Sequence, residues 1–299
     1  MILYLENGKQ IRGDLIISAC LRSDLSPIPL TLEAEIRAGD ETFNPQLAEG
    51  RTIRLESGEK LYIVKSVRVQ DRKVEGERPM DGFQITALIE ACLPVAYVRE
   101  RAIIKEHASL SAIYHAAGAT IPGIISDFPV KRFYCYVGET PTFQIARVLQ
   151  EEGGVVRWKN KKLEFLSLRA LKQAKAVRTI PGDASDSVDG GFLVRHRVPW
   201  FFSLAEDASF LYGNQAKPRS VNYSPFKTEI QLRNMTRCII HRKTLRAKYD
   251  QRICAGDVIQ LDGGTKMIVI TAAHVFSSGT EESGSSDQYS RLWLGEVDE

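Results

Sequence analysis

The residues best suited to chemistry in this 299-residue sequence are few, and their spacing works against the chemistry they suggest. Thr271-Ala272-Ala273-His274 has the local pattern of a general-base histidine in a Ser-His-Asp hydrolase. That arrangement needs an aspartate and a nucleophilic serine well downstream, yet only 25 residues follow His274 and none forms Gly-Asp-Ser-Gly. Asp183, Asp186 and Asp189 are three apart, whereas a calcium loop places its ligands on alternate residues and closes with a glutamate. They read as a solvated loop. The five histidines contain no His-x-x-x-His or Glu-x-x-His pair, so no metal-ligand set can be assembled from His107, His115, His274 and the rest.

The run from His241 to Arg252 (His-Arg-Lys-Thr-Leu-Arg-Ala-Lys-Tyr-Asp-Gln-Arg) is basic enough to meet phosphate. It lacks the interleaved aromatics on which single-stranded bases stack. Cys20, Cys92, Cys135, Cys238 and Cys254 are odd in number and never form Cys-x-x-Cys, which argues against a disulfide framework and a zinc ribbon. They read as buried thiols. Paired carboxylates, a glycine-rich phosphate loop and a nucleophile elbow are all missing from the sequence. The expectation is a non-enzymatic chain with no catalytic, cofactor-binding or metal-binding residues.

Forty basic against 37 acidic residues leave a net charge of +3, too weak a bias to imply a polyanion or a membrane surface as partner. The start Met1-Ile2-Leu3-Tyr4-Leu5-Glu6 is not a signal peptide, and no window approaches 18 apolar residues. The chain is expected to be made and folded in a cytosol and not to insert in a membrane.

Two patterns organise the rest. Near the middle, Thr140 and Pro141 open a helix of about four turns carrying Phe143, Ile145, Ala146, Val148 and Leu149, and Gly153 suits its C′ position. Val155–Trp158 and Leu163–Leu168 then pair as strands across Lys159-Asn160-Lys161-Lys162. A shorter helix runs from Ser109 to Gly118, Ile121-Pro-Gly is a turn, and Phe133–Val137 is a strand leading into this unit.

The second pattern is a repeat at an offset of 206 residues. Gly50–Val69 aligns without a gap on Gly256–Val275, with six of twenty positions identical, and each copy reads as a short strand, a glycine turn and a longer strand. At the same offset, polar loops (Gln70 to Asp81; Phe276 to Asp287) lead into Phe83–Leu88 and Tyr289–Leu294, and Arg237–Arg242 pairs off with the alternating Leu30–Ile36. The fold class expected is α+β, mostly β. Two similar small antiparallel β-barrel domains flank a central α/β domain, with boundaries at 1–95, 96–170 and 171–299. The last part holds an irregular insert, about 181–230, rich in aromatics (Trp200, Phe201, Phe202, Phe210, Tyr212), which is expected to meet a neighbour.

Phe133-Tyr-Cys-Tyr-Val-Gly138, then Thr142-Phe-Gln-Ile-Ala-Arg-Val-Leu-Gln-Glu-Glu-Gly-Gly154, then strands ending Leu163-Glu-Phe-Leu166, resemble the hub proteins of phage tail baseplates. The related hub portion of type VI secretion spike proteins carries a similar helix ending in Glu-Glu-Gly before a hairpin. The resemblance spans about Ser23 to Val297 and implies two similar barrels around an α/β region. It also implies a homotrimer whose six barrels form a pseudo-six-fold ring, with a tail tube or distal tail protein on one side and a three-fold spike on the other. Such a chain would be a structural part of a virion tail, with the genome passing through without specific binding. No repetitive β-helix follows the second barrel, so the spike is expected to be a separate protein. Two other readings stand beside it, a cytosolic oligomeric adaptor or nucleic-acid-binding ring, and an enzyme of unknown type.

Overall fold

The computed structural model describes residues 1–70, 81–181, 185–187, 198–214, 219–262, 264–278 and 286–298. The chain begins with strands β1 (Leu3–Leu5), β2 (Ile16–Asp24), β3 (Leu30–Arg37), β4 (Thr52–Leu55), β5 (Lys60–Gln70) and β6 (Asp81–Ile89). Their apolar residues alternate, so Leu32, Ala34, Ile36, Ile53, Leu61, Ile63, Ile85 and Ala87 are buried while the residues between them face outward. The central part follows as β7 (Ile103–Ser109), α1 (Leu110–Ala116), β8 (Ile124–Ile125), β9 (Pro129–Cys135), α2 (Pro141–Glu151), β10 (Gly154–Lys159), β11 (Lys162–Ser167) and α3 (Leu168–Gln173).

β12 (Arg178–Ile180) and β13 (Ser185–Ser187) come next. The aromatic insert forms its own small sheet from β14 (Trp200–Leu204), β15 (Phe210–Tyr212) and β16 (Val221–Tyr223), followed by the helix Glu229–Met235. The chain then builds β17 (Cys238–Lys248), β18 (Val258–Leu261), β19 (Lys266–Ser277) and β20 (Asp287–Asp298). The architecture is α+β and mostly β. No helix among the described residues is long and apolar enough to cross a membrane.

The repeat seen in the sequence is a repeat of hydrogen bonds. In the first copy Leu55 N–H donates to Glu59 O at 2.9 Å and Gly58 N–H to Leu55 O at 2.9 Å; in the second, Leu261 N–H donates to Thr265 O at 2.9 Å and Gly264 N–H to Leu261 O at 3.0 Å. Gly58 and Gly264 hold φ at +92° and +89°, a conformation that other L residues enter at a cost. The pairing of β5 with β6 slips by a bulge between Ile63 and Lys65, and that of β19 with β20 slips between Val269 and Thr271, the same place 206 residues on.

Two corrections follow from the pairing. Val69 faces Gly82 whereas Val275 faces Tyr289, so beyond the hairpin the second copy carries one residue more in its loop. Arg37 faces Gly82 and Lys248 faces Tyr289, so the counterpart of β3 in the second copy is Cys238–Lys248, in a register five residues beyond the one read from Arg237–Arg242. β17 escaped the pattern because its two faces are both half-buried over most of its length, which erases the alternation.

In each copy the strand order is the same, β4-β5-β6-β3-β2 and β18-β19-β20-β17-β13, and one junction joins them: β2 pairs with β19. The four pairings from β5 to β19 are all antiparallel, so β5 and β19 run in the same direction and end at the same rim of the sheet. Most of the loops expected between Gln70 and Asp81 and between Phe276 and Asp287 lies outside the described residues, but the strands carrying them leave from that common rim.

The central helix and hairpin form as expected, with differences at the ends. α2 has 11 residues, about three turns; the Thr140 side chain makes no capping bond, Pro141 occupying the first turn instead. It buries Ile145, Val148 and Leu149, but Phe143 is 64% exposed. The β10–β11 turn uses Asn160 and Lys161 at φ +51° and +60°, the twist a two-residue hairpin requires. The first copy and the central part share one apolar core, reaching from Leu3 to Leu163, while Leu245, Ile259, Val269, Ala272, Leu292 and Leu294 belong to a separate core in the second.

Candidate assembly surfaces

β5 and β19 are equivalent strands with different neighbours. On β19, β18 covers Lys266–Ile268 and β2 covers the same edge onward, Thr271 facing Asp24 and Ser277 facing Ser18. Ala272, Ala273 and His274 are consequently at most 3% exposed. On β5, β4 covers Lys60–Tyr62, and past the bulge this edge has no strand partner among the described residues. Lys65, Val67 and Arg68 are exposed there, and Glu49 Oε1 accepts the outward N–H of Ser66 at 3.2 Å. An open row of peptide groups is a template for another strand.

The chemistry-bearing residues are spent on structure. His274 lies buried, its Nδ1 2.9 Å from Ser290 Oγ and its Nε2 3.0 Å from Ile253 O, and burial pushes its pKa below the usual 6.5. It pins the turn before Ala255 to the strand face, and among the described residues no carboxylate contacts either ring nitrogen. His115 Nδ1 sits 3.2 Å from Ala119 O, and His107 has φ +49° on exposed β7. Among the described residues no group of three or more His, Cys, Asp and Glu side chains gathers as a metal site would need. Cys92 is buried, and desolvation raises its pKa to about 12. Asp183 and Asp189 lie outside the described residues, and Asp186 sits within β13.

The basic run is β17 and the turn after it, and its three arginines are matched by acids. Arg246 pairs with Asp287 and stacks on Tyr289, Arg242 reaches Glu296 at 3.7 Å, and Arg252 meets Asp250 at 2.9 Å. A phosphate-binding strip would leave such groups unsatisfied by acids.

The aromatic insert divides. Trp200 is buried beneath the Arg219 guanidinium, 4.4 Å from its ring centre, and Arg219 also reaches Asp298 at 3.4 Å. Phe202, Phe210, Tyr212 and Tyr223 form one cluster, with Phe202 5.2 Å from Tyr223 and 5.8 Å from Phe210. Phe210, Tyr212 and Tyr223 remain 61%, 42% and 53% exposed, and Phe226 beyond them is 82% exposed.

Sequence reasoning missed the joint that locks the central hairpin to the second copy. Asp257, its side chain 2% exposed, accepts from Arg157 at 2.9 Å and from Lys159, and its other oxygen accepts the Cys254 N–H at 3.1 Å. Glu164 holds the far side of Arg157 at 2.8 Å. The helix after the insert grips the end of α2 as well, through Asn234 Nδ2 to Glu151 O at 3.0 Å and Gln150 Nε2 to Met235 O at 2.9 Å. The alternation Arg157, Lys159 on β10 was the available signal, but its acidic partner lies 98 residues away from Lys159 and nothing local points to it.

No family model matches the sequence, and no curated protein matches it significantly. Solved structures do. The tail protein from Neisseria meningitidis MC58 superposes with a TM-score of 0.66 over 99% of this chain and 96% of that one, at 12% identity. The chain has the fold of a phage tail protein. The 43 kDa tail protein of prophage MuSo2 from Shewanella oneidensis gives 0.60 at 11% identity, covering 98% of this chain and 96% of its own. A type VI secretion system component from E. coli, described as structurally similar to the T4 bacteriophage tail proteins gp27 and gp5, gives 0.52 at 10% identity over 95% and 74% of the two chains. The tail-protein fold therefore reaches across the whole chain, both copies of the repeat and the part between them.

Proposed function

We propose that this chain is a structural hub of a phage tail baseplate. Three copies form a ring of six similar β-barrels that matches a six-fold tail tube on one side and a three-fold spike on the other. The observation that carries this reading is the twin set of hydrogen bonds and bulges 206 residues apart, because a subunit with two equivalent faces offers six from three copies. The tail-protein fold supports it.

Within this reading the chain divides at 1–95, 96–170 and 171–299, acts in the virion tail after synthesis in the host bacterial cytoplasm, and catalyses nothing. The rim from which β5 and β19 both end carries the tube-facing loops. The exposed aromatic cluster of the insert meets a neighbouring subunit or tail protein. Native mass measurement of the purified chain at micromolar concentration tests the reading. A trimer is expected; a stable monomer or dimer, with no trimer in assembled tails, overturns it.

A further inference from the structure

From the open edge of β5 we infer the register of the contact between subunits: β13 of one copy adds antiparallel to Arg68–Gln70 of the next, with Arg68 facing Ser187, Val69 facing Asp186 and Gln70 facing Ser185. This inference rests on the ring reading and specifies its interface. The chain contains its own template for the contact, the junction in which β2 covers β19.

The register follows from equivalence alone. Arg37 answers to Lys248, since they face Gly82 and Tyr289, the residues opposite the equivalent Val69 and Val275, and so Ala34 answers to Leu245. Ala34 faces Ala19 on β2, and Leu245 faces Ser185 on β13, so β13 stands to the second copy as β2 stands to the first. Inside the chain Ala19 faces Phe276, Cys20 faces Val275 and Leu21 faces His274. Moving these pairs to the other copies gives Ser185 on Gln70, Asp186 on Val69 and Ser187 on Arg68.

Both surfaces are available. β13 ends the strand path, and among the described residues its outer edge has no partner. Among the described residues β5 past its bulge is covered only by the Glu49 side chain on the Ser66 N–H, and Val67 is 42% exposed where its counterpart Ala273 is 3% exposed. Because each subunit offers one such edge and one such strand, the contact is head-to-tail rather than a two-fold pair, and it closes into a ring when the rotation between copies is a third of a turn. The sheet then continues without an edge from copy to copy.

Disulfide trapping tests the register. Ser66 N–H points outward, so Val69, three residues along, is a position without paired backbone bonds, where facing Cα atoms lie about 4.5 Å apart. That is within the roughly 4.4–6.8 Å that a disulfide spans. The internal control is Val275→Cys, which faces the native Cys20 and should close an intrachain bond. In the purified trimer, Val69→Cys/Asp186→Cys should give covalent dimers and trimers on oxidation, reversed by dithiothreitol. Val67→Cys/Asp186→Cys, two residues out of register, and the unsubstituted chain should stay monomeric on the denaturing gel.

A variant that keeps the trimer mass under reducing conditions yet yields no covalent ladder, while Val275→Cys closes, overturns the register and leaves the ring standing. An equal ladder from Val67→Cys/Asp186→Cys also overturns it. An unsubstituted chain that never trimerises overturns the ring reading and this inference together.

Discussion

β5 and β19 are one strand built twice, and their differences track what lies beside them. Where β2 covers the edge the residues are Thr271, Ala272, Ala273 and His274; where the edge is open they are Lys65, Ser66, Val67 and Arg68. Small side chains let a neighbouring backbone approach and are buried with it, while long charged ones suit a strand that must stay soluble before it assembles. The same contrast holds one turn earlier, where Asp257 is locked between Arg157 and Lys159 while its counterpart Arg51 makes a surface pair with Glu6 at 3.4 Å. The second copy is committed inside the chain, and the first keeps its matching surface for a partner.

The largest effect should come from placing a charge on the strand pair. Ala272→Asp puts an unpaired carboxylate at a fully buried site and should cost about 4 kcal/mol or more. Ser66→Asp, its equivalent, should leave the melting of the monomer within about 0.5 kcal/mol and abolish the trimer. Denaturant titration and native mass together read both; equal destabilisation by the two changes would break the comparison. Next in size is Asp257→Ala, which strands Arg157 and Lys159 and should cost about 3 kcal/mol, against about 0.5 kcal/mol or less for Arg51→Ala.

Glycine substitution sharpens the contrast further. Gly50 and Gly256 hold φ at +89° and +80°, so alanine is strained at both. A Cβ at Gly256 would meet Leu166 Cδ1 at 2.8 Å, whereas at Gly50 the nearest atom is Tyr62 Oη at 3.6 Å. Gly256→Ala should cost about 2 kcal/mol and Gly50→Ala about 1 kcal/mol.

The smallest effect is a pH dependence confined to the second copy. Burial lowers the His274 pKa, so the unfolded chain binds the proton more readily than the folded one. The stability from neutral His274 is complete above its unfolded pKa of 6.5 and declines as pH falls below that value. At pH 6 the loss should be about 0.8 kcal/mol or less. His274→Gln should flatten this part of the profile in thermal melts.

The hairpin repeat was readable because Gly50, Ile53, Leu55, Gly58, Lys60 and Val69 serve a local turn and a local strand pair, and the same geometry demanded the same residues again. The register of β17 was hidden because the strand is half-buried on both faces and carries a bulge of its own between His241 and Lys243. Phe143 looked like core by its helical spacing, yet it falls on the open side of α2, and spacing alone does not say which side a helix turns to its neighbours. The open edge of β5 was beyond reach for a different reason. Whether a strand edge is covered depends on a segment about 250 residues away, and β2 carries no mark of its partner beyond its alternation.

Single-particle imaging of the purified assembly tests the central claim most directly, that equivalent halves of one chain make a pseudo-six-fold ring. The account predicts a closed ring of three 33.5 kDa subunits, three-fold symmetric, with six similar β lobes around one channel and an unbroken sheet across every boundary. A two-fold dimer, or a ring in which the β5 edge faces solvent, would contradict it.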